Sequence, residues 1–338
     1  IPYKRYQIQN VWRADRPQKG RFREFLQCDA DVIGSNSLMQ EIDFICLFDK
    51  VFTDLNLGGC RIKINSRKLL IGISEIFNCQ DKFSSLINQL DKLDKIERSE
   101  VKNNLLKLDF ESNVVDSIFE IIDLSNDFTT NKKKLKEIFK SSKLASEGFA
   151  EIEYIYSYIL KNSLNNSKLI FDLGLARGID YYTGVIFEVL PPEKISLGSI
   201  AGGGRYDNLT EIFGLKNMSG IGISFGLDRL FLVLEELDLL PDFSNNSTQI
   251  IFLNFGKDFS FDLISLTNSL RENNINCEFF PEPLSVKKQL SYANKNEIPF
   301  AVFYGEEERE NKYLTLKDMK SGKQENLTLE KLIEKLKK

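Results

Sequence analysis

Three features of the sequence predict an α+β chain with a helical insertion and a small C-terminal α/β domain. Residues 1–70 and 164–240 hold short stretches of alternating polar and apolar residues, split by a charged loop or by glycines, which read as strands. Between them, residues 71–163 are rich in Lys, Asn and Leu, nearly free of glycine, and periodic at helical spacing. After a polar break at 241–248, residues 249–338 alternate strand with helix.

The first element is a basic hairpin. Gln7 to Trp12 alternates polar with apolar, and Phe25 to Ile33 resumes an extended pattern. Between them lie Arg13, Arg16, Lys19, Arg21 and Arg23, with Pro17 and Gly20 to bend the chain. Residues 1–24 carry seven basic against two acidic side chains, a local net of +5 in a chain whose total is −4. Guanidinium groups form planar, paired hydrogen bonds to phosphate or carboxylate oxygens. An Arg on a phosphate and a Phe ring against a base would together hold ATP, and a solvated basic hairpin is the bland alternative.

Ser37 to Leu55 places apolar residues at helical spacing, which predicts an amphipathic helix on the sheet. Cys60 to Ile64 alternates as a strand, and Arg67 and Lys68 read as a solvated loop. Within the helical insertion, Lys132, Lys133, Lys134, Lys136, Lys140 and Lys143 form a basic stripe. Solvation is its default meaning and a phosphate-backbone contact the alternative.

Two glycine-bearing stretches follow. Strands flank Ala176–Gly184, where Arg177, Asp180, Tyr181 and Tyr182 offer a cation, an anion and two hydroxyls. Three glycines precede Arg205 and Tyr206, which permits close backbone approach to a ligand. Gly220 to Gly226 reads as a glycine-interrupted strand running into a helix, Leu227 to Leu237. Arg229 in the first turn of that helix opposes its dipole, which points to a ligand-side reason for its presence. The glycine spacings match neither a dinucleotide fingerprint nor a Walker loop.

Composition excludes several chemistries. With no histidine in the chain, imidazole-based triads and His-ligated metals are ruled out. Five scattered cysteines without a C-x-x-C pair argue for reduced thiols and a cytoplasmic protein. No apolar run approaches the ~20 residues of a membrane span, and no signal pattern opens the chain. Residues 249–338 carry fourteen basic and fourteen acidic residues, so charge alone gives no vote for nucleic acid there.

Read in order, these strings carry a resemblance. The hairpin and the glycine strand ending in G-L-D-R are similar to motifs 2 and 3 of class II aminoacyl-tRNA synthetases. R-P-Q-K-G-R-F-R-E-F, L-A-R-G-I-D-Y-Y-T-G and A-G-G-G-R-Y-D together resemble the histidyl-tRNA synthetases, and the likeness runs through nearly the whole chain. The resemblance implies an antiparallel catalytic sheet built from residues 1–70 and 164–240, a helical insertion at 71–163, a linker at 241–248 and an anticodon-binding domain at 249–338. It further implies ATP, Mg²⁺, L-histidine and tRNA(His) as substrates and partners, a homodimer, and no membrane.

Site residues carry over by position. The resemblance gives Arg13 the α-phosphate of ATP, Phe25 the adenine, Arg21 the outer phosphates and Arg229 the γ-phosphate. It sets Gln27 and Asp31 toward the histidine substrate, with Asp31 suited to either the α-amino group or the imidazole. Arg177 would lie between the amino-acid carboxylate and the α-phosphate, and Tyr181, Tyr182 and Tyr206 would line the histidine pocket. Two departures stand out: the motif 1 region and an upstream histidine-binding loop are expected before residue 1, and Asp15 occupies a position where Glu is usual. The alternative function is a histidine-sensing regulatory paralogue that aminoacylates nothing, although such a protein would be expected to lack the anticodon domain.

Overall fold

The computed structural model describes residues 2–93, 95–125, 127–176, 181–240 and 248–337. They fall into two units, 1–239 and 240–338.

The first unit is built on a seven-stranded sheet. Its strands and helices are β1 (Tyr3–Trp12), β2 (Glu24–Ile33), α1 (Met39–Asp54), β3 (Cys60–Ser66), α2 (Arg67–Ile76), α3 (Phe83–Leu90), α4 (Arg98–Lys107), α5 (Ser112–Ser125), α6 (Phe128–Phe139), α7 (Lys143–Asn162), β4 (Ser167–Phe171), β5 (Val185–Leu190), β6 (Ala201–Tyr206), β7 (Gly220–Gly226) and α8 (Leu227–Glu236). The strand order is β1-β2-β7-β6-β5-β3-β4. Every neighbouring pair is antiparallel except β3 with β4. That parallel pair has the connection it requires, because α2 to α7 lie between the two strands in sequence.

Alternation along the strands separates two faces. On β7, Ile221, Ile223 and Phe225 are buried, and the Phe225 ring meets Phe48 of α1 edge-on at 5.3 Å and Phe52 at 6.1 Å. The opposite residues of β7 are Gly220, Gly222, Ser224 and Gly226, and they leave an open face. Register sets Gln27 against Gly226, Asp29 against Ser224 and Asp31 against Gly222.

Helices α2 and α7 pack at very short range. A Cβ built on Gly72 would lie 2.5 Å from the Cβ of Ala145, so only glycine lets the two backbones approach. This overturns the reading of Arg67 and Lys68 as a solvated loop. Arg67 opens α2 and is buried, with its guanidinium 5.3 Å from the Phe83 ring centroid, and Lys68 pairs with Glu151 of α7. Both residues sit in the first turn of α2, Arg67 buried and Lys68 half-buried.

The second unit contains β8 (Ile250–Phe252), α9 (Ser260–Glu272), β9 (Cys277–Phe279), α10 (Val286–Lys295), β10 (Phe300–Phe303), α11 (Glu306–Asn311), β11 (Leu314–Asp318), β12 (Gln324–Leu327) and α12 (Leu329–Leu336). Its sheet runs β12-β11-β10-β8-β9, parallel about β8 and antiparallel toward β12. Ile250 and Phe252 belong to one apolar cluster and Ile251 and Leu253 to another, so the sheet is covered on both faces. The predicted linker lies almost wholly outside the described residues. No helix among the described residues is long and apolar enough to cross a membrane.

Candidate active site

The open face of the first sheet is the floor of a cleft of about 1300 Å³. Arg13, Arg21, Phe25, Gln27, Asp31, Tyr181, Tyr182, Tyr206 and Arg229 all border it, although they are up to 216 positions apart in the chain. The tenth predicted residue, Arg177, lies outside the described residues together with Gly178, Ile179 and Asp180. Asn65, fully buried, donates from its amide to the Leu175 carbonyl at 2.8 Å and so ties down the segment leading toward them.

One end of the cleft is formed by the β1–β2 loop and the start of α8. Arg13 directly follows β1, its backbone N–H donating to the Arg23 carbonyl across the hairpin. Its guanidinium lies 5.1 Å from the Phe25 ring centroid, a cation–π contact, and donates weakly to Gln27 at 3.4 Å. Gly20 turns the loop at φ +70°, a left-handed conformation that favours glycine, and a Cβ there would meet Leu197 at 2.7 Å. Arg21 donates from Nε to Asp15 Oδ2 at 3.0 Å, and its Nη2 stands 3.0 Å from Oδ1. That bond holds the Asp15 carboxyl below its usual range, and the fields of Arg13 and Arg229 push the same way. Arg229 donates to the Gly20 carbonyl and, at 2.7 Å, to the Ser199 carbonyl. The α8 start is also tied to β2, because Asp228 accepts from the Leu26 backbone N–H at 2.8 Å.

The deeper end of the cleft is polar and aromatic. Gln27 donates to Ser224 at 2.7 Å. The Tyr206 hydroxyl donates to Asp31 at 2.8 Å, and Tyr181 donates to Tyr182 at 3.2 Å. Burial raises the Asp31 carboxyl above its ordinary range, while the Tyr206 bond and Arg5 pull it partly back. Burial first, and then the adjacent acidic groups and phenols, push the Tyr182 and Tyr206 hydroxyls up, so both stay neutral at any physiological pH. Gly222 makes room for this arrangement, since a Cβ on it would fall 2.2 Å from an Asp31 oxygen.

Two cleft residues and one beside them escaped the sequence reading. Asp29 shares the face of Gln27 and Asp31, and its Oδ1 is buried without a hydrogen-bond partner. Ser224 receives the Gln27 amide, and Arg5 stands 3.6 Å from Asp31. Two-residue alternation from Gln27 would have found Asp29. Arg5 was counted only as charge, because its strand was predicted to start at Gln7 and β1 starts at Tyr3.

Comparison with known proteins places this geometry. Residues 2–230 match a family model described as histidyl-tRNA synthetase, and residues 249–338 match one for an anticodon binding domain. A histidine–tRNA ligase of Christiangramia forsetii is 50% identical over 327 residues, covering 97% of this chain and 72% of that protein. One from Flavobacterium johnsoniae is 46% identical over 332 residues, covering 98% and 70%. Among solved structures, a histidyl-tRNA synthetase from Nostoc sp. PCC 7120 superposes with a TM-score of 0.86 at 29% identity, covering 100% of this chain and 78% of that one.

Proposed function

This chain belongs to the histidyl-tRNA synthetase family, and on that footing we propose how its cleft is used. The reaction is ATP-dependent activation of histidine to histidyl-adenylate, followed by transfer to the 3′ end of tRNA(His). The observation that supports the residue roles best is the meeting of nine residues from distant strings around one cleft.

In the first step the histidine carboxylate attacks the α-phosphorus in line and pyrophosphate leaves. The nucleophile is already an anion at neutral pH, so no general base is required, and a chain without histidine loses nothing. What the site must supply is positioning and charge neutralisation. Arg13 moves from its place over Phe25 to the α-phosphate, and adenine takes the ring face it leaves. Arg21 exchanges Asp15 for the outer phosphates, and Arg229, held from behind by two backbone carbonyls, meets the γ-phosphate. Arg177 bridges the amino-acid carboxylate and the α-phosphate. Gln27, Asp31, Tyr181, Tyr182 and Tyr206 receive histidine, with Asp31 accepting from its ammonium or imidazole N–H. In the second step the terminal ribose hydroxyl of the tRNA attacks the adenylate carbonyl and AMP departs.

ATP enters as its magnesium complex. Its magnesium ion would be bound chiefly by phosphate oxygens and water. The C-terminal unit reads the anticodon through stacking and base-edge contacts, for which its balanced charge is no obstacle. On β1, Tyr6, Ile8 and Trp12 share one face and are 62–79% exposed. An apolar row of this kind fits coverage by a second copy of the chain in a cytoplasmic homodimer.

Histidine-dependent ATP–pyrophosphate exchange, with the full-length protein and its Arg177→Ala variant, tests the reading. Exchange that requires histidine and drops roughly 10²–10³-fold in the variant is expected. Absence of exchange in the unaltered protein would remove the function, and an unaltered rate in Arg177→Ala would remove that residue from the mechanism.

A further inference from the structure

Behind the amino-acid pocket, starting on the helix-covered side of the sheet, runs a polar chain, buried at Glu41, Arg205 and Ser219 and half-buried at Asp207 and Thr183, to which none of the assigned roles refers. It begins at Glu41 of α1, which is fully buried, and Arg205 of β6, which is 6% exposed. The Arg205 guanidinium has five N–H groups and spends all five. Nε and Nη2 go to the two Glu41 carboxylate oxygens, Nη1 to Ser219 Oγ at 2.7 Å and to the Ser35 carbonyl at 2.8 Å, and Nη2 also to the Ser37 carbonyl at 3.3 Å. Ser219 passes the chain on by donating to Asp207 Oδ1 at 2.6 Å. Asp207 Oδ2 accepts from the Thr183 hydroxyl at 2.5 Å, and that hydroxyl accepts from the Asp207 backbone N–H at 3.0 Å. The Thr183 backbone closes the circuit on the Arg205 carbonyl at 2.9 Å.

Position in the sequence gives this chain its consequence. Tyr206 stands between Arg205 and Asp207 and points the other way, into the cleft, where it holds Asp31. Tyr182 directly precedes Thr183. On the sheet surface beneath both rings the positions are glycines, while Tyr181 packs beside them, its ring centroid 4.5 Å from that of Tyr182 and 6.2 Å from that of Tyr206. A Cβ on Gly220 would lie 2.2 Å from the Tyr206 ring, and one on Gly204 would lie 2.9 Å from the Tyr182 ring. The rings rest on backbone beneath and on Tyr181 beside them, and the frame grips the chain they project from, at Thr183 after Tyr182 and at Arg205 and Asp207 on either side of Tyr206.

We propose that the hydrogen-bonded chain Glu41–Arg205–Ser219–Asp207–Thr183 is the positioning frame of the amino-acid pocket, fixing Tyr182 and Tyr206 and, through Tyr206, Asp31. The frame acts on recognition of the polar ring, and this rests on the assignment of histidine to that pocket. A site that selects its substrate by hydrogen bonds depends on their geometry, and a displacement of about 1 Å costs up to roughly 10²-fold in rate. None of the five frame residues need touch substrate.

Thr183→Val removes one hydroxyl at nearly constant volume, and Thr183→Ser restores it. For histidine-dependent exchange, Thr183→Val is expected to raise KM for histidine about tenfold while KM for ATP stays within about twofold, and Thr183→Ser is expected to recover the unaltered value. Ser219→Ala, which breaks the chain one link away, should show the same split. A fall in melting temperature with KM for histidine unchanged, or an equal rise in both KM values, would overturn the frame. Crystal structures of the variants give a readout independent of activity: loss of the 2.8 Å Tyr206–Asp31 bond supports the frame, and its retention contradicts it. Should the unaltered protein show no histidine-dependent exchange, the functional reading fails and that distance still decides the frame.

Discussion

The β1–β2 loop and helix α6 are both basic, and the structure uses them differently. On α6 and its approach to α7, four lysines meet carboxylates of α5, α7 or α6 itself. Lys132 and Lys136 share Glu153, Lys134 takes Glu120, and Lys140 takes Glu137. The loop has acidic contacts too, Arg21 with Asp15 and Lys19 with Glu236. Yet Arg13 rests on a ring and an amide, Arg229 of a distant helix joins through backbone carbonyls, and all of them border one cavity. Positive charge in a sequence becomes a site where cations converge on a concave surface. Where each meets a glutamate on a convex helix, it is a solvated face.

The largest effect expected on stability comes from a third kind of cation, the buried Arg205. Glu41→Ala would strand its guanidinium away from water and cost about 3–5 kcal/mol, measured by urea unfolding of the full-length protein. Next comes Arg229→Ala, expected to slow single-turnover adenylate formation roughly 10²–10³-fold. A rate like that of an α6 lysine variant would erase the distinction between the two basic regions.

Asp31→Asn tests the acidic side of the cleft. Burial raises the folded pKa of Asp31 above its unfolded value. The native state therefore holds its proton longer, and the resulting stability is present below the unfolded pKa and lost as pH rises through the folded one. The variant should lose this slope just above the ordinary carboxylate range and bind histidine more weakly, while being no less stable at neutral pH. Denaturation curves between pH 4 and 7 check the sign. A loss of stability at pH 7 would show that the ionised carboxylate contributes to the fold. The smallest effect belongs to α6, where Lys134→Ala and Lys136→Ala should change stability by no more than about 1 kcal/mol and leave exchange unaltered.

How much of this was readable from the residues varies by element. The hairpin, α1 and the β7–α8 junction were legible because alternation, helical spacing and a glycine run that stops at Leu227 are strong local signals. Strands β11 and β12 were not read, since Leu314–Asp318 is short and Gln324–Leu327 is an edge strand with exposed polar residues. The glycines of β6 were read as room for a ligand, and part of their reason is the sheet itself. A Cβ on Gly203 would strike the Gly222 carbonyl at 2.2 Å. The cleft residues were legible only through three strings read together, whereas the Arg205 frame depends on partners 164 positions away and has no local signature.

The central claim is that Arg13 and Arg229 act on one triphosphate. A double-mutant cycle of Arg13→Ala and Arg229→Ala, read as single-turnover adenylate formation at varied ATP, tests it most directly. Two guanidiniums on the same substrate should show a coupling of about 0.5–3 kcal/mol, the double variant losing less than the product of the single losses. Strict additivity, or a rate in either single variant equal to that of the unaltered protein, would contradict the account.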